Sequence, residues 1–268
     1  MWTLRMYVRL ISIQLRSQMQ YRASFWLELI STGLLNGSIF LSLALILERF
    51  GNIGGWNLGE IAFLAGMIEM SFGCMDMIFS GFDPDGFSVV IREGSFDQVM
   101  LRPLSLFWQV LGSRFLLRRI GRILEGMVIF GMALLLVDVH WTAGKLAYLG
   151  IVFASQVITM GAIFMMGSTI TFWTVQSVEA VNVLTYGGTD LMSYPMHIYP
   201  HWLRSFYTYV IPFIFLNYYP ALYLLGKPDP LHFPPFAPFL APLIAAGFLA
   251  VALWFWQVGV NHYQSTGS

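Results

Sequence analysis

Six stretches of the 268-residue sequence, 25–47, 58–80, 120–137, 146–173, 178–194 and 236–258, are almost continuously apolar. A helix that crosses a bilayer needs about 20 mostly apolar residues. Backbone in hydrocarbon must also satisfy its own hydrogen bonds, which leaves helices and closed barrels. Runs of this length, without two-residue alternation, predict six transmembrane helices. The remaining residues offer no soluble alternative. Charged side chains make up 10% of the chain and the mean hydropathy is +0.68, whereas soluble domains carry about 25% charged residues. A soluble enzyme, a nucleic-acid binder and a disordered scaffold are excluded together. The expectation is an all-α integral membrane protein with a single transmembrane domain over residues 1–268.

The segment 202–225 is nearly as apolar, but Pro212 and Pro220 interrupt it and aromatics crowd it. It is expected to form short external re-entrant helices, followed by a proline-rich connector, so that 195–235 lies outside before the last span. Orientation follows the Lys/Arg bias. Arg5, Arg9, Arg16, Arg22, Arg92, Arg102, Arg114, Arg118, Arg119 and Arg122 fall on one side, against Arg49, Lys145, Arg204 and Lys227 on the other. This places the N-terminus, the 81–119 loop and, with six crossings, the C-terminus in the cytoplasm. Residues 1–23 carry Arg5, Arg9, Ser12, Arg16 and Gln20 at helical spacing, with Leu4, Val8, Ile11, Leu15 and Met19 supplying apolar area. A basic amphipathic helix of this kind lies in the membrane interface and is not a cleavable signal.

The chemistry of a membrane enzyme is missing. Cys74 is the one cysteine, so neither a disulfide framework nor a thiolate metal site is expected. His140, His197, His201, His232 and His262 form no metal-ligand pattern, and the His197/His201 pair reads as interfacial. Neither Gly144-Lys145 nor Gly226-Lys227 belongs to a phosphate-binding P-loop. The chain therefore hydrolyses no ATP by that machinery. Asp83-Pro84-Asp85-Gly86 lacks the alternating ligands of a calcium loop and reads as a turn.

The second span carries the most informative polar residues. Ala62, Gly66, Glu69, Gly73, Asp76 and Ser80 recur every three or four residues, making one face small or acidic. Small residues let another helix approach closely. A carboxylate facing lipid at mid-membrane costs about 2.5–3.5 kcal/mol, so Glu69 and Asp76 must face protein or water. The stripe is either one wall of a translocation path or an inter-helix polar network. Gly33 and Gly37 form a packing pair on the first span. Glu28 and Glu125 each have arginines near enough in sequence to pair with. Beyond the fifth span, Tyr194, Tyr199, Trp202, Phe206, Tyr207, Tyr209, Phe213, Phe215, Tyr218, Tyr219 and Tyr223 form either an interfacial belt or the rim of an exit path. Glu69, Gly73, Asp76, Tyr194, Phe213 and Tyr218 are the candidate path residues.

The cytoplasmic loop contains a short helical segment broken at Gly94 and stopped before Pro103. Val90, Ile91, Phe96, Val99 and Met100 form an apolar ridge among charges of both signs, a pattern suited to docking in a groove of a soluble partner.

The pattern Arg-x-Gly-x-Phe-Asp-x-x-hydrophobic-x-Arg-Pro-Leu, here Arg92 to Leu104, resembles the hallmark of a bacterial subgroup of type-2 ABC exporter permeases. Phe172-Trp173 with Glu179, the external Tyr194-Pro195, Tyr199-Pro200, Trp202-Leu203-Arg204, Ile211-Pro212 and Tyr218-Tyr219-Pro220-Ala221, and the tail from His262 to Ser268 agree with it in order. The 83–86 turn departs from the pattern. The resemblance implies a permease subunit with a coupling helix in 88–101 and two short external helices. It also implies two copies of a separate ABC ATPase subunit, which would hold ATP and magnesium, and a second permease, identical or paralogous. This chain would bind no cofactor itself.

Arg92, Glu93, Gly94, Phe96, Asp97, Arg102 and Pro103 are then the expected ATPase-coupling residues. The function implied is export of an amphiphilic, drug-like or lipid-like substrate across a bacterial inner membrane, with membrane lipids as the surroundings and no nucleic acid as partner. The rival reading is a secondary transporter or channel that binds protons or cations at Glu69 and Asp76.

Overall fold

The computed structural model describes residues 51–116, 119–176 and 179–264, with Ser12 and individual positions between Trp26 and Arg49. The expected interfacial helix over 1–23, Glu28, Arg118 and the tail 265–268 lie outside the described residues, as does most of 25–47. The described positions of 25–47 are helical. Of these, Trp26, Leu27, Leu34, Leu41 and Leu45 are exposed. Gly33 and Gly37, expected to pack a neighbour, have nothing among the described residues within 4 Å of where a side chain would begin.

The described structure is helical, apart from a lone bridge between Ile53 and Trp56. In chain order the helices are α1 (Leu58–Ile78), α2 (Pro84–Arg92), α3 (Phe96–Met100), α4 (Leu106–Leu111), α5 (Ile120–Leu136), α6 (Ala143–Thr174), α7 (Glu179–Asn182), α8 (Gly188–Met192), α9 (His201–Tyr209), α10 (Tyr218–Leu225) and α11 (Ala241–His262). A π-helical turn, Val183–Gly187, joins α7 to α8. Among the described residues, three helices are long and apolar enough to cross a membrane: α1, α6 and Ala237–His262. The bent pair His201–Tyr209 and Phe213–Leu225, with an angle of 75°, makes a fourth if it is one span. The expected third span, 120–137, is 17 residues of helix, at the short limit for a crossing. The expected fifth, 178–194, is shorter still, a helical run of 179–192 that stops ahead of Pro195.

α1 begins on a capping box. Asn57 Oδ1 accepts from the Glu60 N–H at 3.0 Å and Glu60 Oε2 accepts from the Asn57 N–H at 2.9 Å. α6 has 32 residues, about 48 Å of helix, and so overhangs a hydrocarbon core of about 30 Å. Its hydroxyls bond back to its own carbonyls, Ser155 to Ile151, Thr159 to Ser155 and Thr169 to Met165, which satisfies them without water.

Contacts sort the helices by end. The start of α1 meets residues 197, 218 and 227, and its far end meets the 110–119 region. α5 runs antiparallel to α1, with Asp76 facing Arg119 and Gly59 against Leu136. α6 starts beside Leu224 and ends with Phe172 against Phe96. The run 179–192 starts with Asn182 bonded to Asp85 and leads to His197 beside Gly54. α9 to α10 enters and returns at the end where α1 starts. α11 starts close to Tyr148 and finishes with Trp256 against Phe96. The loop 80–116 and the end of α11 thus share one end of the bundle, called the loop end below.

Candidate functional site

Asp83 occupies the N-cap position of a helix with Pro84 in its first turn, so the turn at 83–86 is the start of α2. Burial first, then the neighbouring Asp85 charge, pushes the Asp83 carboxyl above its usual range. Gly94 adopts φ +66°, a left-handed conformation that glycine takes without strain, and reverses the chain between α2 and α3.

That reversal turns Phe96 inward. The ring is fully buried, with centroids 5.7 Å from Phe87, 5.2 Å from Phe172 and 5.0 Å from Tyr263. Trp256 completes the box. Phe96 therefore fastens the loop to the ends of α6 and α11. The expected docking ridge is corrected accordingly. Ile91 and Phe96 are buried in the core, and the box supplies the partners of Phe96. The exposed apolar surface is Met100 and Leu101, the latter 85% exposed, flanked by the exposed Arg92, Glu93, Arg102 and Pro103.

Asp97 accepts a hydrogen bond from the Tyr263 hydroxyl at 2.9 Å. Burial, and then this bond to a carboxylate, push Tyr263 up to about 12. The folded value lies above the ordinary tyrosine value near 10, so the protonated form is favoured in the fold. Its stabilising contribution is complete below pH 10 and is lost as pH rises through about 12. The difference in melting temperature between wild type and Tyr263→Phe is expected to stay constant up to pH 10 and to shrink above it. A difference that changes between pH 6 and 9 would assign the bond to another titration.

The small and acidic stripe of α1 lies against α5. Gly66 meets the Phe130 backbone, Gly73 meets Ile123, and Gly126 of α5 meets the Met70 backbone, each closer than a methyl group would allow. Glu69 is gripped by Arg122 through two bonds, Nε to Oε2 at 2.6 Å and Nη2 to Oε1 at 3.2 Å. The guanidinium carbon sits 4.1 Å over the Phe72 ring. Asp76, 2% exposed, faces Arg119 at 2.9 Å. Arg122, expected to pair locally with Glu125, is held across helices by Glu69. Of the other candidate path residues, Phe213 is buried and stacks on Tyr207, Tyr218 is buried on Trp56, and Tyr194 is half-buried.

Residues 34–267 match the family model described as ABC-2 family transporter protein. The chain belongs to the ABC-2 transporter family. No curated protein and no solved structure matches it. As an ABC-2 family member it is a multi-pass membrane protein, the permease component of an ABC transporter, and it works with an ABC ATPase subunit.

The remainder of this ABC-2 subunit holds polar residues that a search for charges passes over. Asn217 donates to Met192 O at 2.7 Å and Leu64 O at 3.2 Å. Gln156 donates to Leu216 O at 2.8 Å and Asn217 Oδ1 at 3.0 Å, and accepts from Ser71. All three side chains are fully buried. They tie α1, α6, α8 and the bent segment into one junction. Such unbroken uncharged runs carry no net-charge signal. Their common sign is an amide inside an otherwise apolar run, which Gln156 displays in sequence. At the end where α1 starts, Lys227 bridges both Glu60 oxygens at 2.7 and 2.8 Å and caps Gly55 O at 3.0 Å. His197 joins Tyr218 Oη at 2.9 Å and Gly54 O at 2.8 Å. His197 is thus a clasp between α10 and the segment that precedes α1.

Proposed function

We propose that this chain is the transmembrane subunit of an ATP-driven exporter that moves an amphiphilic, drug-like or lipid-like substrate out of the cytoplasm or inner leaflet. It belongs to the subgroup marked by the 92–104 pattern. Two copies of the ATPase carry ATP and magnesium, and a second permease, identical or paralogous, completes the path. The chain crosses a bacterial inner membrane six times with both termini cytoplasmic. The end-to-end runs of α1, α5, α6, 179–192 and α11, with 25–47 as the first crossing, support that topology.

One observation carries the mechanism: the loop-end element presents Met100, Leu101 and Arg102 outward while Phe96 on its other face is locked to α6 and α11. A push on the exposed face reaches two spanning helices directly. ATP-driven closure of the ATPases would supply that push. Arg92, Glu93, Arg102 and Pro103 are the contact residues in this reading. Gly94 shapes the turn, and Phe96 and Asp97 transmit. Glu69 and Asp76 hold α1 to α5, since each is engaged by an arginine.

The test is co-purification and coupled transport. Leu101→Asp should abolish capture of the ATPase partner, and Arg102→Ala should lower transport per ATP hydrolysed while expression stays intact. Wild-type export by both variants would refute the coupling assignment. Transport driven by an ion gradient, with no ATPase bound, would establish the secondary-transporter reading instead.

A further inference from the structure

The run 179–192 turns its hydroxyls inward. Val181, Thr185, Thr189 and Met192 are buried, and Gly188 leaves room that the Phe213 ring fills. Thr185 and Thr189 satisfy themselves on the carbonyls of Val181 and Thr185, each at 2.8 Å. Val183, 60% exposed, and Asp190, also exposed, stand outside that packing. The π-helical turn Val183–Gly187 precedes Asp190. Such a turn holds one residue more than an α turn and offsets the face shown by everything after it, and it recurs at functional sites.

Asp190 lies within the length of α1. Asn217 bonds both Met192 O and Leu64 O, which sets the end of α8 level with Leu64. The Asp190 carboxylate is also within electrostatic reach of Glu69, near the middle of α1, and of Arg122. An open carboxylate at that depth is too costly to leave against lipid. No described residue supplies it with an ion pair or a side-chain hydrogen bond. Arg122 gives both its bonds to Glu69, and Arg119 is matched to Asp76. The group Glu69, Arg122 and Asp190 therefore carries one net negative charge. A second copy of this chain would bring the same engaged arginines. Tyr194, half-buried and four residues after Asp190, and Tyr199 lie within reach of that carboxylate. Aromatic rings beside a carboxylate suit an organic cation.

We infer that Asp190 holds the cationic centre of the cargo, an amphiphile with a positive group set among apolar ones, and that the Tyr194 ring lies beside that centre. The inference rests on the permease reading above and names the charge of what is moved. Neutral and anionic amphiphiles of the same size lack the matching charge and are left behind.

The probes are tetraphenylphosphonium and tetraphenylborate, which match in size and shape and differ in the sign of their charge. Binding of each to the purified transporter, this chain with its ATPase and second permease in lipid nanodiscs, is measured by equilibrium dialysis against empty nanodiscs. Wild type is expected to hold the cation about tenfold more tightly than the anion, Asp190→Asn to lose about that factor, and Asp190→Glu to keep most of it. Tyr194→Leu should weaken the cation about threefold. Equal affinity of wild type for the two probes, or undiminished binding of the cation by Asp190→Asn, overturns the inference. Loss of the second permease from the Asp190→Asn complex, with no change in probe preference, would overturn it too and assign the carboxylate to subunit pairing. Should Asp190→Asn fail to fold, the two probes on wild type decide alone: equal affinity refutes the site. ATP-driven flux of the same probes separates the site from the exporter reading. Asp190-dependent binding without flux counts against export and leaves the site standing, and ATP-driven flux with equal affinities does the reverse.

Discussion

Replacing Arg122 with alanine should destabilise the subunit by about 3–5 kcal/mol, the typical cost of removing one partner from a buried ion pair. The side chains of Arg122 and Glu69 are each 17% exposed, and their two bonds hold α5 to α1 where glycines bring the backbones together. Without Arg122, Glu69 would keep its charge among Phe72, Met70 and the α5 backbone, or take up a proton and lose the grip. The double variant Glu69→Met with Arg122→Met removes both charges at similar volume. It should recover most of the loss, because apolar replacement of a buried pair is often neutral or better. Thermal denaturation in detergent, followed by size-exclusion fluorescence, measures both. The outcome that sinks the reading is an Arg122→Ala variant melting with wild type, or a double variant no better than the single. Arg119→Ala should also destabilise, since the carboxylate it faces, Asp76, is only 2% exposed.

The same helix shows how far sequence carries. Recurrence of Ala62, Gly66, Glu69, Gly73, Asp76 and Ser80 every three or four residues marked the face of α1 that must meet protein or water, because periodicity is a property of the local chain. It did not name the partner. Arg122 has Glu125 three residues on and Glu69 fifty-three residues back, and only the antiparallel register of α1 on α5 decides for Glu69. The loop failed in a different way. α2 and α3 are apolar on two sides, and a binary pattern cannot say which apolar side meets its own chain. The aromatic box selects Phe96, leaving Met100 and Leu101 outside. Tyr263, beyond the last span, was read only as part of a tail, although it closes that box and bonds Asp97. The Ser71–Gln156–Asn217 junction was silent for a third reason. Uncharged amides lower hydropathy too little to interrupt a predicted span, yet they fix where the bent segment turns back.

Phe96→Ala is the variant that separates docking from transmission. Truncating a buried phenylalanine costs about 3–5 kcal/mol, and the ring contacts with Phe87, Phe172, Trp256 and Tyr263 add specificity of angle beyond burial. The exposed Leu101–Arg102 surface is untouched, so ATPase capture should persist at near wild-type level. The link from that surface to α6 and α11 is what the alanine removes. Misplacement by about 1 Å far from a reacting centre can lower a rate a hundredfold, and the looser seat left by alanine should cut substrate moved per ATP hydrolysed by about tenfold or more. Phe96→Leu, which refills most of the volume without the ring edges, should fall between the two. In reconstituted vesicles, phosphate release and substrate flux are read from the same sample, so the ratio is independent of how much protein folds. A Phe96→Ala subunit that captures the ATPase and keeps the wild-type ratio would mean that force enters through α2 and its packing on α6, and that the aromatic box only stabilises the loop.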